Sequence, residues 1–335
     1  MTRLLHIAAK SADARVWTPL FREKLLELGE LVIVEDGSSR SQIELATLVR
    51  NCDILLTSWG SSPVPAEVAQ SPGNLGYVCH ITGTMRHVVP VEIIDAGIPA
   101  TNWGDAPAHS IAEGSMVLLL ATIKDLHYRV NLIRNGGWQP DQRWHGGSLE
   151  GLNVGIYGYG VIGRRFVEML RPFGAVIRVF DPYATNFPVD CNVVNSLKEL
   201  FCQSEAIVIH AGLTNETQGS VTAELLAMLP NHGIIINTAR GGIVDQQALF
   251  QELKSGRLRA GLDVLEPDYL KPDHPARQWD NCIFTAHTIG QGWPSDGSAN
   301  QRLGRMHLIC LDNLGRHLSG KPLRFCMDRP RYLRS

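Results

Sequence analysis

The run Asn153-Val154-Gly155-Ile156-Tyr157-Gly158-Tyr159-Gly160-Val161-Ile162-Gly163 passes from an apolar, β-branched stretch straight into three glycines spaced G-x-G-x-x-G. It reads as a strand over 153–157, a tight turn, and a helix whose amphipathic pattern runs over 162–170. Glycine at 158, 160 and 163 permits the turn, lets the backbone approach a pyrophosphate, and lets helix and strand pack closely. The free N–H groups around Val161 and Ile162, at the positive end of the helix, then face the phosphates. The next strand, 176–180, is followed by Asp181, 18 residues after Gly163. That is near the spacing for an acid that bonds the ribose hydroxyls of a dinucleotide. A carboxylate there repels a 2′-phosphate, so NAD is expected over NADP.

Outward from this motif, short apolar runs alternate with helical patterns on both sides. Downstream, strands are expected at 206–210, 233–237, 260–264 and 281–285 as well as 176–180, with a helix at 246–254. Upstream, five more are expected at 4–9, 31–35, 53–59, 76–81 and 98–102, separated by helices such as 18–28 and 41–50. A long helical stretch covers 110–135, and a Gly- and Trp-rich loop follows it. This is α/β patterning with two doubly wound parallel sheets, the first expected to be flavodoxin-like. A last helical pattern, 299–318, has no third domain to join and is expected to pack on the N-terminal unit.

Composition excludes other classes. With 44% hydrophobic and 19% charged residues the chain is globular rather than disordered, and a net charge of -2 argues against a binder of polyanions through bulk charge. The 36 residues from Asn300 carry eight Lys or Arg against two Asp, but no interleaved aromatics mark them as a nucleic-acid surface. The seven cysteines contain no C-x-x-C pair, and several lie in apolar runs, so reduced buried thiols and no metal site are expected. The first ten residues are too short an apolar stretch for a signal peptide, and no run approaches the length of a membrane span. A cytoplasmic protein is expected.

Ligands of open parallel sheets bind beyond the carboxyl ends of the strands, so polar residues there come first. They include Thr238, Ala239 and Arg240 after 233–237, then Asp263, Glu266 and Asp268, then His287. In the first half the same edge carries Trp59 and the loop Thr82-Gly83-Thr84-Met85-Arg86-His87. A guanidinium that binds a carboxylate, an imidazole that delivers a proton, and an acid that orients it suit reduction of a 2-oxo acid by hydride.

The segments 158–163, 236–245, 261–264 and 285–287 resemble the D-isomer-specific 2-hydroxyacid dehydrogenases, as do 110–113 and 210–217 from His210. The resemblance runs in family order from about residue 50 to 325. It implies two Rossmann-like domains with an active-site cleft between them: a discontinuous substrate domain, 1–102 with 294–335, and an NAD-binding domain, 103–293. It implies a homodimer through 110–135 and the loop around Trp138–Trp144. It implies that Arg240 binds substrate, that His287 is the acid/base, and that Asp263 contacts the nicotinamide side. Gly158, Gly160, Val161, Ile162, Gly163, Asp181, His210, Thr238, Ala239 and Arg240 would line the cofactor. Gly83 and Thr84 would bind the substrate carboxylate, with Trp59 and Arg86 as further contacts.

Three departures stand out. The family acid is usually Glu before Pro; Glu266-Pro267 has that look but comes two residues early, and ungapped counting puts Asp268 in its place. The substrate loop has Met85 where a glycine is usual, which either narrows the pocket or shifts the loop. Ile289 stands where a small residue is usual, two positions after the histidine. The leading expectation is an NAD-dependent reductase of 2-oxo acids. The alternatives on the same scaffold are a formate- or phosphite-type dehydrogenase and an NAD(H)-sensing corepressor.

Overall fold

Runs of four buried residues, Ile54–Thr57, Tyr77–His80, Ala206–Ile209 and Ile234–Asn237, form strands covered on both faces, as parallel sheets require. The computed structural model describes residues 1–139, 147–290 and 302–334. In chain order the first elements are β1 (Arg3–Ile7), α1 (Pro19–Leu26), β2 (Glu30–Val34), α2 (Gln42–Arg50), β3 (Ile54–Thr57), β4 (Tyr77–His80), α3 (Val91–Asp95) and β5 (Ala100–Thr101). Then come α4 (Ala108–Ile123), α5 (Leu126–Arg134), β6 (Asn153–Tyr157), α6 (Val161–Leu170), β7 (Val176–Phe180), β8 (Asn192–Val193) and α7 (Leu197–Cys202). They are followed by β9 (Ala206–Ile209), α8 (Ala223–Met228), β10 (Ile234–Asn237), α9 (Gln246–Lys254), β11 (Arg259–Leu262) and β12 (Cys282–Phe284). The chain closes with α10 (Arg305–Leu318) and α11 (Arg329–Arg334).

Two units result: Met1–Pro107 with Trp293–Ser335, and Ala108–Gly292. The first division falls after Pro107 rather than after residue 102. Trp103 belongs with the first unit because its N–H donates to the Thr82 carbonyl and its ring lies against Gly83.

The first unit has a five-stranded parallel sheet of order β2-β1-β3-β4-β5. Side chains alternate across it. Leu5, Ile7 and Leu55 face a core with Leu45, Val49, Val88 and Ile93, while Leu4, Ile54 and Leu56 face one with Trp17, Phe21 and Leu25. Helix α10 completes the second core with Met306, Cys310 and Leu314, so the C-terminal helix does pack on the N-terminal sheet. Helix α2 starts in a capping box, Ser41 with Glu44, and α1 starts at Thr18 with Pro19 in its first turn.

The second unit has a seven-stranded parallel sheet, β12-β11-β10-β9-β6-β7-β8. Strand order reverses between β6 and β9, which is where ligands of such sheets bind. Helices α4 and α6 cover one face through Leu119, Ile123, Phe166 and Leu170; α7, α8 and α9 cover the other. The stretch 110–135 is not one helix. Lys124 ends α4, and Asp125, at φ 49, turns the chain into α5. Its carboxylate is held by a buried ion pair to Arg259 at 3.0 Å. The two-residue β8 has no counterpart in the sequence pattern because both of its residues are exposed.

Three imidazoles are kept neutral by their surroundings. Burial lowers His6 to about 4, and His80 and His210 to about 3, from the usual 6.5. The unfolded chain therefore binds more protons than the folded one between about pH 6.5 and 4, so stability is full above that window and is lost as pH falls through it. Urea unfolding at about pH 5 rather than 7 should show a loss of roughly 1–2 kcal/mol per histidine. An unchanged midpoint would mean that these rings are charged in the fold.

Candidate active site

The glycine loop after β6 has three distinct geometries. Gly158 has φ 97, and a Cβ on it would stand 2.4 Å from the Ala211 nitrogen. A Cβ on Gly163 would stand 2.2 Å from the Gly158 carbonyl oxygen, so the helix is seated on the turn. A Cβ on Gly160 would meet nothing within 4 Å. That open side lies at the N-terminus of α6, which no side chain caps, and Val161 is exposed beside it with Ile162 partly so. First-turn N–H groups left without intrahelical partners suit an anion.

Asp181 clamps this loop. Its Oδ2 accepts from the Tyr159 N–H at 2.6 Å, and its Oδ1 accepts from Tyr183 and Ala184 at 2.8 and 3.0 Å. His210, after β9, lies against the Phe166 ring, and its shielded Nε2 has no hydrogen-bond partner among the described residues. An open glycine, an uncapped helix and an orphaned imidazole nitrogen around one strand crossover fit a dinucleotide.

At the ends of β10, β11 and β12 the polar residues interlock. Asn237 bonds both ways across the following turn, accepting from the Ala239 N–H and donating to the Arg240 carbonyl. Thr238 is buried, its hydroxyl 2.7 Å from that of Ser115 on α4. Arg240 is exposed, with one guanidinium nitrogen donating to the Ala239 carbonyl at 2.7 Å. Gly241 lets this turn lie against the Leu265-Glu266 backbone.

From that loop Asp268 reaches His287, with 2.5 Å between Oδ2 and Nδ1, while its Oδ1 accepts from the Leu265 N–H at 3.0 Å. Glu266 is turned elsewhere. Its backbone is pinned on both sides by Gln246, and its carboxylate lies beside Gly242. Of the two acids, the shorter one meets the imidazole.

His287 and Ala286 both have left-handed backbone, φ 58 and 51. For non-glycine residues this costs about 1 kcal/mol or more each. Asp263 offsets it. Its buried carboxylate accepts from the Thr285 hydroxyl at 2.6 Å and from the Thr288 and Ile289 N–H groups at 2.9 and 3.1 Å. Its carbonyl accepts from His287 N–H at 2.5 Å. Ile289 packs against Gly114 of α4, where a Cβ would come within 2.9 Å of it. The Ser110 hydroxyl holds the Gly290 carbonyl at 2.6 Å. The unusual bulk at 289 is thus matched by missing bulk at 114.

In the first unit, Trp59, Gly83, Thr84 and Arg86 lie at the carboxyl edge of the sheet. The Trp59 ring is half exposed and stands edge-on to Trp103, centroids 5.0 Å apart. Asn102 donates to the Gly83 carbonyl at 3.0 Å. Arg86 is exposed and donates to the Leu333 carbonyl at 3.2 Å, and His87 is exposed. Met85 is fully buried in the sheet's core, so it anchors the loop rather than narrowing a pocket. Trp293 and residues 140–146 of the arm lie outside the described residues. Among the described residues, no group of three or more His, Cys, Asp or Glu is placed to hold a metal.

The family described as "D-isomer specific 2-hydroxyacid dehydrogenase, NAD binding domain" matches residues 116–288. A hydroxypyruvate reductase from Blautia hydrogenotrophica is 30% identical over 307 residues, 88% of this chain and 91% of that protein. The chain belongs to this family. A D-3-phosphoglycerate dehydrogenase from Methanocaldococcus jannaschii is also 30% identical, over 276 residues and 81% of this chain, but the chain spans only 52% of its length. An acyclic imino acid reductase solved with NADPH and D-Arg shares the fold, with TM-score 0.77 and 23% identity over 98% of this chain and 100% of that one. As a D-2-hydroxyacid dehydrogenase family member, the chain is an NAD-dependent oxidoreductase acting on CH–OH donors.

Sequence reasoning passed over Asn237, Gln246, His80, Asn102 and Trp103. All but Gln246 lie at or just after strand ends, a position that could have singled them out. The open space at Gly160 separates binding from folding. Gly160→Ala should keep the thermal midpoint within about 1–2 °C yet weaken NADH binding, followed by fluorescence, by roughly tenfold. Unweakened binding would place the pyrophosphate elsewhere.

Proposed function

We propose that this D-2-hydroxyacid dehydrogenase family member reduces a small 2-oxo acid to the D-2-hydroxy acid. The observation that carries the reading is the Asp268–His287 pair at 2.5 Å, on the same sheet edge as the glycine loop. When bound, NADH supplies the hydride to C2. With Nδ1 held by Asp268, the His287 Nε2 protonates the developing alkoxide and in oxidation accepts the proton back. Arg240 binds the substrate carboxylate through its guanidinium and polarises the carbonyl. Asp263 orders the histidine loop beside the nicotinamide side. In the first unit, the backbone at Gly83 and Thr84, with Trp59 and Arg86 on the same sheet edge, offers further contacts for a substrate carboxylate. Asp181 prefers NAD through its charge.

The relatives' names supply glyoxylate, hydroxypyruvate and 3-phosphoglycerate chemistry as a test panel. NADH oxidation with glyoxylate, hydroxypyruvate or the 2-oxo counterpart of 3-phosphoglycerate should be detectable, and an absence of turnover with all of them would reject the reading. His287→Ala, Arg240→Ala and Asp268→Asn should each lower kcat/KM by about 100-fold or more. Glu266→Gln should change it by less than about threefold. A larger loss in Glu266→Gln than in Asp268→Asn would exchange the two acids.

The protein acts as a homodimer through α4 and α5. Leu126, Val130 and Ile133 share one exposed face of α5, and Val117 of α4 is also exposed. A second copy covers them. Sedimentation should show a dimer that Leu126→Glu with Val130→Glu dissociates; a wild-type monomer would remove this element. A cytoplasmic location is in keeping with seven free cysteines; no helix among the described residues is long and apolar enough to cross a membrane.

A further inference from the structure

A buried imidazole links two strands to the loop assigned above to the substrate carboxylate. His80 is the last residue of β4 and is 1% exposed. Its Nδ1 is 2.9 Å from the Thr57 hydroxyl at the end of β3, and its Nε2 is 2.9 Å from the Thr82 hydroxyl. Both hydroxyls are buried as well. The Thr84 backbone also bonds to the ring. A hydroxyl can donate or accept, so both ring nitrogens are satisfied in either neutral tautomer. Burial, reinforced by the nearby His87, keeps the ring uncharged at working pH. The Thr82-Gly83-Thr84 backbone is thus tied from below by His80 and from the side by Asn102 and Trp103.

We propose that His80 is a positioning residue: through Thr57 on one side and Thr82 on the other, it sets the loop at 82–84 in the geometry that binds the substrate carboxylate. The inference rests on the 2-oxo acid reading and names a residue outside it. A loop that binds the carboxylate equally in ground and transition states affects KM more than kcat. Leaving a buried ring nitrogen or hydroxyl without its partner releases the loop rather than the sheet, because the neighbouring strands keep their ladder bonds.

The test uses the full chain with NADH and the best 2-oxo acid of the panel. Thr82→Val and His80→Gln should raise KM about tenfold or more, with kcat changed by less than about threefold and NADH affinity unaltered. Thr57→Val, on another strand, should act in the same direction through His80. Thr82→Ser returns the hydroxyl and should bring KM back. Amide hydrogen exchange should quicken at residues 83–86 in Thr82→Val while β3 and β4 stay protected. Unchanged KM in folded Thr82→Val and His80→Gln overturns the inference while the 2-oxo acid reading stands. Parallel loss of KM, kcat and NADH binding also overturns it, since that marks general loosening. A wild type inactive on every 2-oxo acid removes the reading and this inference with it.

Discussion

Asp263 brings a negative charge to a position only 5% exposed, and the loop that follows β12 answers it with a hydroxyl and two backbone N–H groups. The candidate active site depends on that exchange. A buried carboxylate without donors would be costly. Two successive non-glycine residues at positive φ would not persist without compensation. Each problem is the other's remedy, and the result is a histidine whose backbone is fixed by Asp263 and whose ring is fixed by Asp268.

The same economy of means recurs along the sheet edge. Asp181 holds the glycine turn, Asn237 holds the turn that bears Arg240, and Asn102 with His80 holds the loop at 82–84. In each case a polar residue at or just past a strand end satisfies backbone or hydroxyl groups of a neighbouring turn. Exposed at the same edge are the groups that the chemistry needs: the Arg240 guanidinium, the His287 ring and the first turn of α6.

Much of this was legible in the chain because parallel strands are apolar throughout, and their ends announce themselves by a change to glycine and polar residues. The run at 153–163 gave a strand, a turn and a helix in register with the structure, and the packing of the last helix followed from its lack of any other partner. Other features depended on contacts distant in sequence. The break at Asp125 is compensated by Arg259, and the choice between Glu266 and Asp268 turned on Gln246 capturing the former. His80 looked like any strand residue, because what distinguishes it is a pair of hydroxyls on either side in space. Met85 could be placed only once the core beneath its loop was seen.

Gly114 and Ile289 carry a consequence for how this chain can vary. One lies in a helix and the other beyond β12, yet they share a single volume: what one lacks the other fills. A methyl gained at 114 would stand 2.9 Å from both the Ile289 side chain and the Ile289 backbone carbonyl, so it displaces the loop two residues from the imidazole even where 289 gives up bulk. Bulk at 114 is therefore felt first in the segment that carries the histidine.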